Sequence, residues 1–502
     1  MNRNYTFFKS IRIFSQRSKN VHKTVTRSKF HGRNRHMSIE NTHFGAQAIH
    51  TMLADCKSIF FIGIGGVNMS SLARISALRG YRVGGSDRTR TAVTEALEKK
   101  GIKVFYSHDA CNMETYDAVV YTVAISEDNP EYLRARERSI PTISRSDFMG
   151  YLMMGYRNRV GISGMHGKST CTSMCAEIFM NANVDPTVLS GAAMKSMGGA
   201  FRVGGEKYFI FEACEYMDSF LDFYPTIAVI LNVEMDHVDY FESIEHIHRS
   251  FARFAAKTTE SGCALYNADD RHTARVMARP EIRGVRLLGF SMKDPNATFY
   301  AAGITLDHGR PSFDVLVEGQ LFCHVSLAVS GKHNVYNALA AAASAYLCGI
   351  DGASVARGLA SFRGADRRME YKGTFCGADV YDDYGHHPTE VAKTLEGVSE
   401  MGYDRVVCVF QPHTYSRTAG LFREFTEAFG HADMTVIADI YAAREQDTGM
   451  VSSAGLAAAI HGGHYVGDFK QIVAYLRREL KEGDVLIVMG AGDIYKMFDL
   501  MD

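Results

Sequence analysis

Residues 161–170 read Gly-Ile-Ser-Gly-Met-His-Gly-Lys-Ser-Thr, and the reading of this stretch decides the fold. An apolar run at 158–162 feeds a glycine turn, and a segment of helical pattern, 171–183, leaves it. A strand, loop and helix in that order turn backbone N–H groups toward a phosphate. Lys168 suits the β- and γ-phosphates of a nucleoside triphosphate, and the Ser169 hydroxyl suits Mg²⁺. The full phosphate-loop pattern asks for a glycine five residues before Gly167, where Ile162 stands. This chain carries the shorter form, Gly164-x-x-Gly167-Lys168-Ser169, with Met165, His166 and Thr170 completing the loop.

Outward from this loop, short apolar strands alternate with helical segments. Before it, a strand at 58–62 leads into Gly63-Ile-Gly65-Gly66-Val-Asn68, then a helix to about residue 79. Further strands are expected at 81–84, 103–106 and 118–123. This is a doubly wound βαβ unit, whose ligand belongs at the carboxyl ends of the strands. Asn68 stands where the dinucleotide fingerprint has its third glycine, so the loop reads as diphosphate-binding rather than nicotinamide-binding. Asp87 falls about 20 residues on, where a ribose-binding acid sits in such units.

The phosphate-loop unit continues with strands at 159–163, 208–212, 227–232 and 263–267. Between 297 and 330 the pattern turns β-rich, with Gly303, Gly309, Pro311 and Gly319 as turns, which predicts an antiparallel patch. An Ala-rich helix covers 339–347. A third α/β unit has strands at 378–382, 406–410, 435–439 and 485–489, and helices at 388–401, 420–429 and 469–480. The expected organisation is therefore α/β in three domains: an N-terminal Rossmann-like unit over 37–150, a central ATPase-like unit over 151–362, and a C-terminal Rossmann-like unit over 363–502. A length of 502 residues fits three or four domains of about 150 residues each.

Bulk properties exclude several classes. A net charge of −1 gives no global attraction to nucleic acid or to a membrane surface. No stretch approaches the ~20 apolar residues of a membrane span. Ten cysteines lie scattered with no CxxC pair, which reads as reduced thiols in a cytoplasmic protein. Residues 1–36 hold ten Lys/Arg and no acid, and composition becomes ordinary from Met37. That leader resembles a transit peptide, or is a disordered tail or an upstream start, and is set apart from the fold.

Several polar constellations fall at expected strand ends. Glu212-Ala-Cys-Glu215 and Asp236-His237 follow strands of the central unit. Glu212 and His237 can ligate Mg²⁺ or serve as hydrogen-bonded structural groups. His333-Asn334 and Asn337 open the Ala-rich helix, where asparagine is commonly a cap. Arg367-Arg368 borders the third unit. Asp382-Asp383-Tyr384-Gly385-His386-His387-Pro388 and Gln411-Pro-His413-Thr-Tyr415-Ser-Arg417 then follow neighbouring strands. Together they make a polar cleft suited to an anionic substrate.

Assembled, these motifs resemble the Mur ligases, the ATP-dependent amide-forming enzymes of peptidoglycan synthesis. The resemblance runs from about residue 57 to about residue 496. It implies addition of L-alanine to UDP-N-acetylmuramate, with ATP and Mg²⁺ as cofactors, in the cytoplasm. It implies that Gly63, Gly65, Gly66, Asn68 and Asp87 hold the UDP-sugar. Residues Gly164 to Thr170 hold the ATP phosphates. His333 and Asn334 meet adenine, Asp383 the ATP ribose and Arg368 the γ-phosphate. Ser169, Glu212 and His237 serve the metal, and Tyr384, His386, His413 and Arg417 line the alanine and reacting-carboxylate site. Lys168, His386, His413 and Arg417 are the implied catalytic set. Met165 and Ser169 depart from the usual Thr at both positions, and Thr414 stands where some members carry Arg.

The chemistry fits that inventory. A carboxylate becomes an acylating agent only when its oxygen is made a leaving group, so the γ-phosphoryl of ATP moves to it first. The amine then attacks the acyl phosphate. His386 and His413 both remain open as acceptors of the amine proton. The catalytic groups belong to different units, so the second and third domains must close on ATP, with an open form expected at rest. Oligomeric state is not legible.

Overall fold

The protein, here as a computed structural model, is described over residues 39–237, 240–258, 261–443, 445–447 and 449–501. The basic leader lies outside these residues. Three sheets follow one another along the chain. The first has five parallel strands with Ser58–Ile62 at its centre, Arg82–Ser86 and Lys103–Phe105 to one side, and Ala118–Tyr121 and Thr142–Ser144 to the other. All five residues of the central strand are buried, as a parallel strand covered on both faces requires.

The central sheet has ten strands. Asn158–Ser163 lies between Ile227–Ile230 and Tyr208–Glu212, all parallel. Ile162 is fully buried inside that strand and pairs with Val229 and Glu212. The strand therefore runs on through the position where a longer loop would place its first glycine. The expected β-rich patch is an antiparallel meander of Phe299–Asp307, Arg310–Val317 and Gln320–Ser326 at the sheet's edge. The third sheet has six strands. Ala378–Asp383 pairs parallel to Asp484–Met489 and antiparallel to Glu370–Phe375, so the Rossmann-like unit opens on a hairpin.

The phosphate-loop helix, Lys168–Asn181, is buried along most of its length, wedged between the sheet and the helices His333–Leu347 and Gly352–Ser361. Small residues make this possible. Ala338 to Ala343 are buried without exception. A Cβ on Gly358 would stand 2.5 Å from Ile178 Cα.

The two junctions between sheets differ in kind. The first and central units share one apolar cluster, in which Phe61, Phe148 and Met149 join Phe220, Phe223 and Phe254. The apolar clusters of the third unit contain only its own residues. Its junction with the central unit is polar. Arg417 pairs with Asp236 at 3.1 Å, Thr389 Oγ1 donates to Glu234 at 2.6 Å, and the His387 ring N–H donates to Met235 O at 3.2 Å. His166, from the phosphate loop, lies 3.5 Å from both Glu234 and Glu390. The third unit is thus already seated on the second, where the sequence led to an open form.

Burial drives the His166 ring toward its neutral form, but Glu234 and Glu390 outweigh this and raise its pKa to about 9. Glu234, which burial alone would raise, is held at about 2 by His166 and Thr389. The ordinary values are 6.5 and 4.5. A raised histidine contributes fully below its ordinary value and loses its contribution as pH rises through the raised one. A lowered carboxylate contributes above its ordinary value and loses its contribution as pH falls through the lowered one. Attachment of the third unit is therefore expected to be tightest between about pH 4.5 and 6.5 and to loosen toward pH 9.5. The radius of gyration from solution scattering should grow over pH 7 to 9.5 in the wild type and lose that dependence in His166→Gln. Separately, Gly358→Ala should lower the melting temperature. Overpacking costs about 1–3 kcal/mol, more than the gain of up to about 1 kcal/mol in helix propensity.

Candidate active site

The phosphate loop is shaped by two glycines with positive φ, Gly164 at 141° and Gly167 at 82°. Gly167 caps the helix, and a Cβ there would meet Asn337 Oδ1 at 2.5 Å. Lys168 Nζ donates to the carbonyls of Gly164 and Met165 and pairs with Glu215 at 3.1 Å. Burial raises the Glu215 carboxyl, yet Lys168 and His237 hold it below its ordinary value. Glu215 is the central acid of the site, and nothing local in the sequence marks it beyond its place at the end of the Glu212-Ala-Cys-Glu215 motif.

Ser169 Oγ donates to Glu212 Oε2 at 3.2 Å, and the other Glu212 oxygen accepts from Ser190 Oγ and Gly191 N. Two Mg²⁺ ligands in cis positions at about 2.1 Å would stand about 3 Å apart. The Ser169–Glu212 pair fits that ion. His237 faces Glu215 instead, with Nε2 at 3.0 Å from its carboxylate. Its backbone is strained, at φ 49°, and its N–H donates to Asp236.

A cavity of about 570 Å³ opens where the central and third units meet. His166, Gly167, His333 and Asn334 line it from one side, and Arg368 and Asp383 from the other. Burial lowers the His333 ring to about 4, so it stays neutral. Asn334 is not the helix cap. Lys332 holds that position, and Asn334 Nδ2 ties back to Ser330 O at 2.7 Å while its Oδ1 accepts from Asn337. Asp383 accepts from Met369 N and Gly385 N, an arrangement that braces the loop carrying Tyr384. The Tyr384 ring lies against the guanidinium groups of Arg367 and Arg368, at 5.0 and 5.2 Å. Arg368 also reaches Glu390 at 3.5 Å.

Two histidines face each other across this loop, ring centroids 5.7 Å apart. His386 Nδ1 lies 3.0 Å from Tyr384 O. A carbonyl only accepts, so Nδ1 carries the hydrogen and Nε2 keeps a lone pair in the neutral ring. His413 is the reverse. Its Nδ1 accepts from Arg417 at 3.2 Å, so the neutral ring carries its hydrogen on Nε2. Burial pushes the His386 pKa down to about 3 and that of His413 down as well, with Arg417 adding to the latter.

In the first unit the glycine loop folds onto its own sheet. Gly63 N and Ile64 N donate to Ser86 O at 2.8 and 2.9 Å, Gly66 N donates to Gly63 O, and Gly65 N donates to Asp87 at 2.9 Å. These amides are engaged, so the N–H groups open to a phosphate are those at the start of the helix Val67–Leu78, which holds Asn68. Asp87 braces the loop.

His166, Glu234 and His387 offer ligand atoms within 4.8 Å of one another, the spacing of a metal triad. Yet His387 has both nitrogens engaged, donating to Met235 O and accepting from Thr389 N. The cluster is an ion-pair and hydrogen-bond clasp between units. Glu234 carries no local signal in the sequence, because only the opposing unit explains it.

Three family profiles match in succession: the Mur ligase family catalytic domain over residues 58–157, the Mur ligase middle domain over 162–345, and the Mur ligase glutamate ligase domain over 367–492. A UDP-N-acetylmuramate–L-alanine ligase from Clostridium novyi is 44% identical over 448 residues, covering 88% of this chain and 97% of its own. The enzyme of the same name from Caldanaerobacter subterraneus is 44% identical over 446 residues, covering 88% and 96%. Among solved structures, UDP-N-acetylmuramate–alanine ligase from Thermotoga maritima aligns with a TM-score of 0.71 at 28% identity, covering 88% of this chain and 97% of that one. A murein peptide ligase from Psychrobacter arcticus aligns at 0.66 and 23% identity over 89% and 98%, a likeness of fold. With all three profiles matched in order and these identities across nearly the whole described length, the chain belongs to the Mur ligase family.

Proposed function

We infer that this chain joins L-alanine to UDP-N-acetylmuramate at the expense of ATP, in the cytoplasm, for peptidoglycan synthesis. The first unit (37–150) takes the UDP-sugar, the central unit (151–362) ATP, and the third (363–502) the amino acid. The observation that carries this reading is the unbroken polar line across the junction. It runs from Lys168 through Glu215, His237 and Asp236 to Arg417 and His413. A phosphate loop is thereby held against a cleft of arginine and histidine, which a transfer between two anions requires. The names of the curated relatives supply the substrates. No helix among the described residues is long and apolar enough to cross a membrane.

In the first step a lactyl carboxylate oxygen attacks the γ-phosphorus, and the bond to the bridging oxygen of ADP breaks. Lys168 and Arg368 carry positive charge to the transferring group. Mg²⁺, held by Ser169 and Glu212, would neutralise phosphate charge there. In the second step the alanine nitrogen attacks the acyl carbon, a C–N bond forms, and inorganic phosphate leaves with the C–O bond electrons. His386 Nε2 is the atom placed to accept the amine proton, because it has no protein partner among the described residues while the His413 lone pair is taken by Arg417. Burial alone leaves this ring a weak base, and the anionic substrates that fill the cleft would raise its pKa.

Lys168→Ala should reduce ADP formation by at least about a hundredfold while leaving UDP-N-acetylmuramate binding intact, since the two ligands use different loops. Calorimetry on the variant checks this, and joint loss of both would contradict it. ADP release with UDP-N-acetylmuramate and each of the twenty amino acids should be strongest with L-alanine. Signal only with a preformed tripeptide would overturn the reading.

A further inference from the structure

The first unit contains a buried carboxylate that the reaction does not use. Glu131, on the helix Pro130–Glu137, has no exposed surface, and it is held by donors from three separate segments. Ser86 Oγ donates to Oε2 at 2.5 Å, His108 Nδ1 lies 2.8 Å from the same oxygen, and Asn112 Nδ2 donates to Oε1 at 2.9 Å. No lysine or arginine pairs with it among the described residues. An ionised carboxylate so deeply placed is costly unless every lone-pair direction is used, and here the partners are all neutral donors or an imidazole.

Two of these donors lead to the nucleotide-sugar edge of the sheet. Ser86 ends the strand Arg82–Ser86, and its carbonyl accepts from both Gly63 N and Ile64 N. The hydroxyl held by Glu131 and the carbonyl that pins the glycine loop thus belong to one residue. His108 stands after the strand Lys103–Phe105, at the same carboxyl edge, with 14% of its side chain open. Glu131 takes the hydrogen on Nδ1, so the neutral ring presents Nε2 as an acceptor, and that atom has no protein partner among the described residues.

We propose that Glu131 is a positioning residue of the nucleotide-sugar site, setting the His108 tautomer and the place of the Gly63 loop together so that His108 Nε2 accepts a hydrogen bond from the nucleoside. This rests on the functional reading above, which puts UDP-N-acetylmuramate in the first unit. A nucleoside supplies donors of the required kind in its base N–H and ribose hydroxyls, whereas a diphosphate at neutral pH supplies none. Glutamine at position 131 leaves one acceptor oxygen for three donors and turns an amide N–H₂ either toward Asn112 or toward Ser86 and His108. In the first orientation the oxygen loses its charge and holds the His108 Nδ1 hydrogen more weakly, and in the second it releases that hydrogen.

Steady-state kinetics on Glu131→Gln and His108→Ala provide the test, with UDP titrated by calorimetry in parallel. Both variants should raise the KM for UDP-N-acetylmuramate and weaken UDP by about 10- to 100-fold, with kcat and the KM for ATP unchanged. Long-range ¹⁵N–¹H spectra should show His108 protonated at Nδ1 in the wild type and at Nε2, or in a mixture, in Glu131→Gln. A lowered melting temperature with the nucleotide-sugar KM within twofold of wild type would assign Glu131 a purely structural part and overturn the proposal. Should Glu131→Gln fail to fold, His108→Ala and the wild-type tautomer decide it, and an unchanged KM or an Nε2–H ring would be fatal. A wild-type protein that does not bind UDP-N-acetylmuramate at all would overturn the functional reading instead.

Discussion

Five carboxylates meet where the central and third sheets face each other, and the site depends on how their charge is neutralised. Glu215 and Asp236 are buried, and Glu212, Glu234 and Glu390 are half-buried. None could remain ionised in such a place without cations or donors close by. Each finds its partner on another element: Glu215 on Lys168 and His237, Asp236 on Arg417, Glu390 on Arg368 and His166. The phosphate loop, the strand ends of the central sheet and the cleft of the third unit are thereby fixed against one another. Adding anionic ATP to this region would redistribute the same cations, so ligand binding and the seating of the third unit act on one set of charges.

Backbone strain gathers at the same junction. His237, Arg367, Met369 and Thr414 all have positive φ, and none is glycine. Such conformations cost about 1–3 kcal/mol each and persist only where surrounding contacts impose them. His237 is imposed by its N–H on Asp236 and its ring on Glu215. Thr414 is imposed by its N–H on Tyr441 O and by its hydroxyl capping the helix that carries Arg417. The strain thus sits where His413 and Arg417 are aimed.

The elements legible in sequence were those with a strong local cause. Buried parallel strands such as Tyr208–Glu212 and Cys263–Asn267 are uninterrupted apolar runs, and their limits match the expectation. The three-residue edge strands Thr142–Ser144 and Gly463–Tyr465 carry no such run, and Glu370–Phe375 is largely exposed, so they went unread. The helix expected at 420–429 runs over Phe422–Ala428, and a further short helix, Tyr415–Gly420, precedes it where none was expected. In the site, residue types were legible but their hydrogen bonds were not. The Gly63 loop was read as presenting its amides, yet Ser86 and Asp87 consume them. Whether an amide is free depends on a strand more than twenty residues away, and no local pattern records that.

The contrast between the two junctions bears on turnover. Separating the first and central units would expose Phe148, Phe220 and their neighbours, at about 25 cal/mol for each Å² of apolar surface. Separating the third unit exposes ion pairs and hydrogen bonds that water and salt can largely replace. On the proposed assignment, the units that take the acceptor sugar and ATP stay together, while the unit assigned to the amino acid can lift away at lower cost. A ligase must protect its acyl phosphate from water during the reaction and release a large product after it. An apolar junction on one side of the site and a titratable polar junction on the other meet those two demands within one chain.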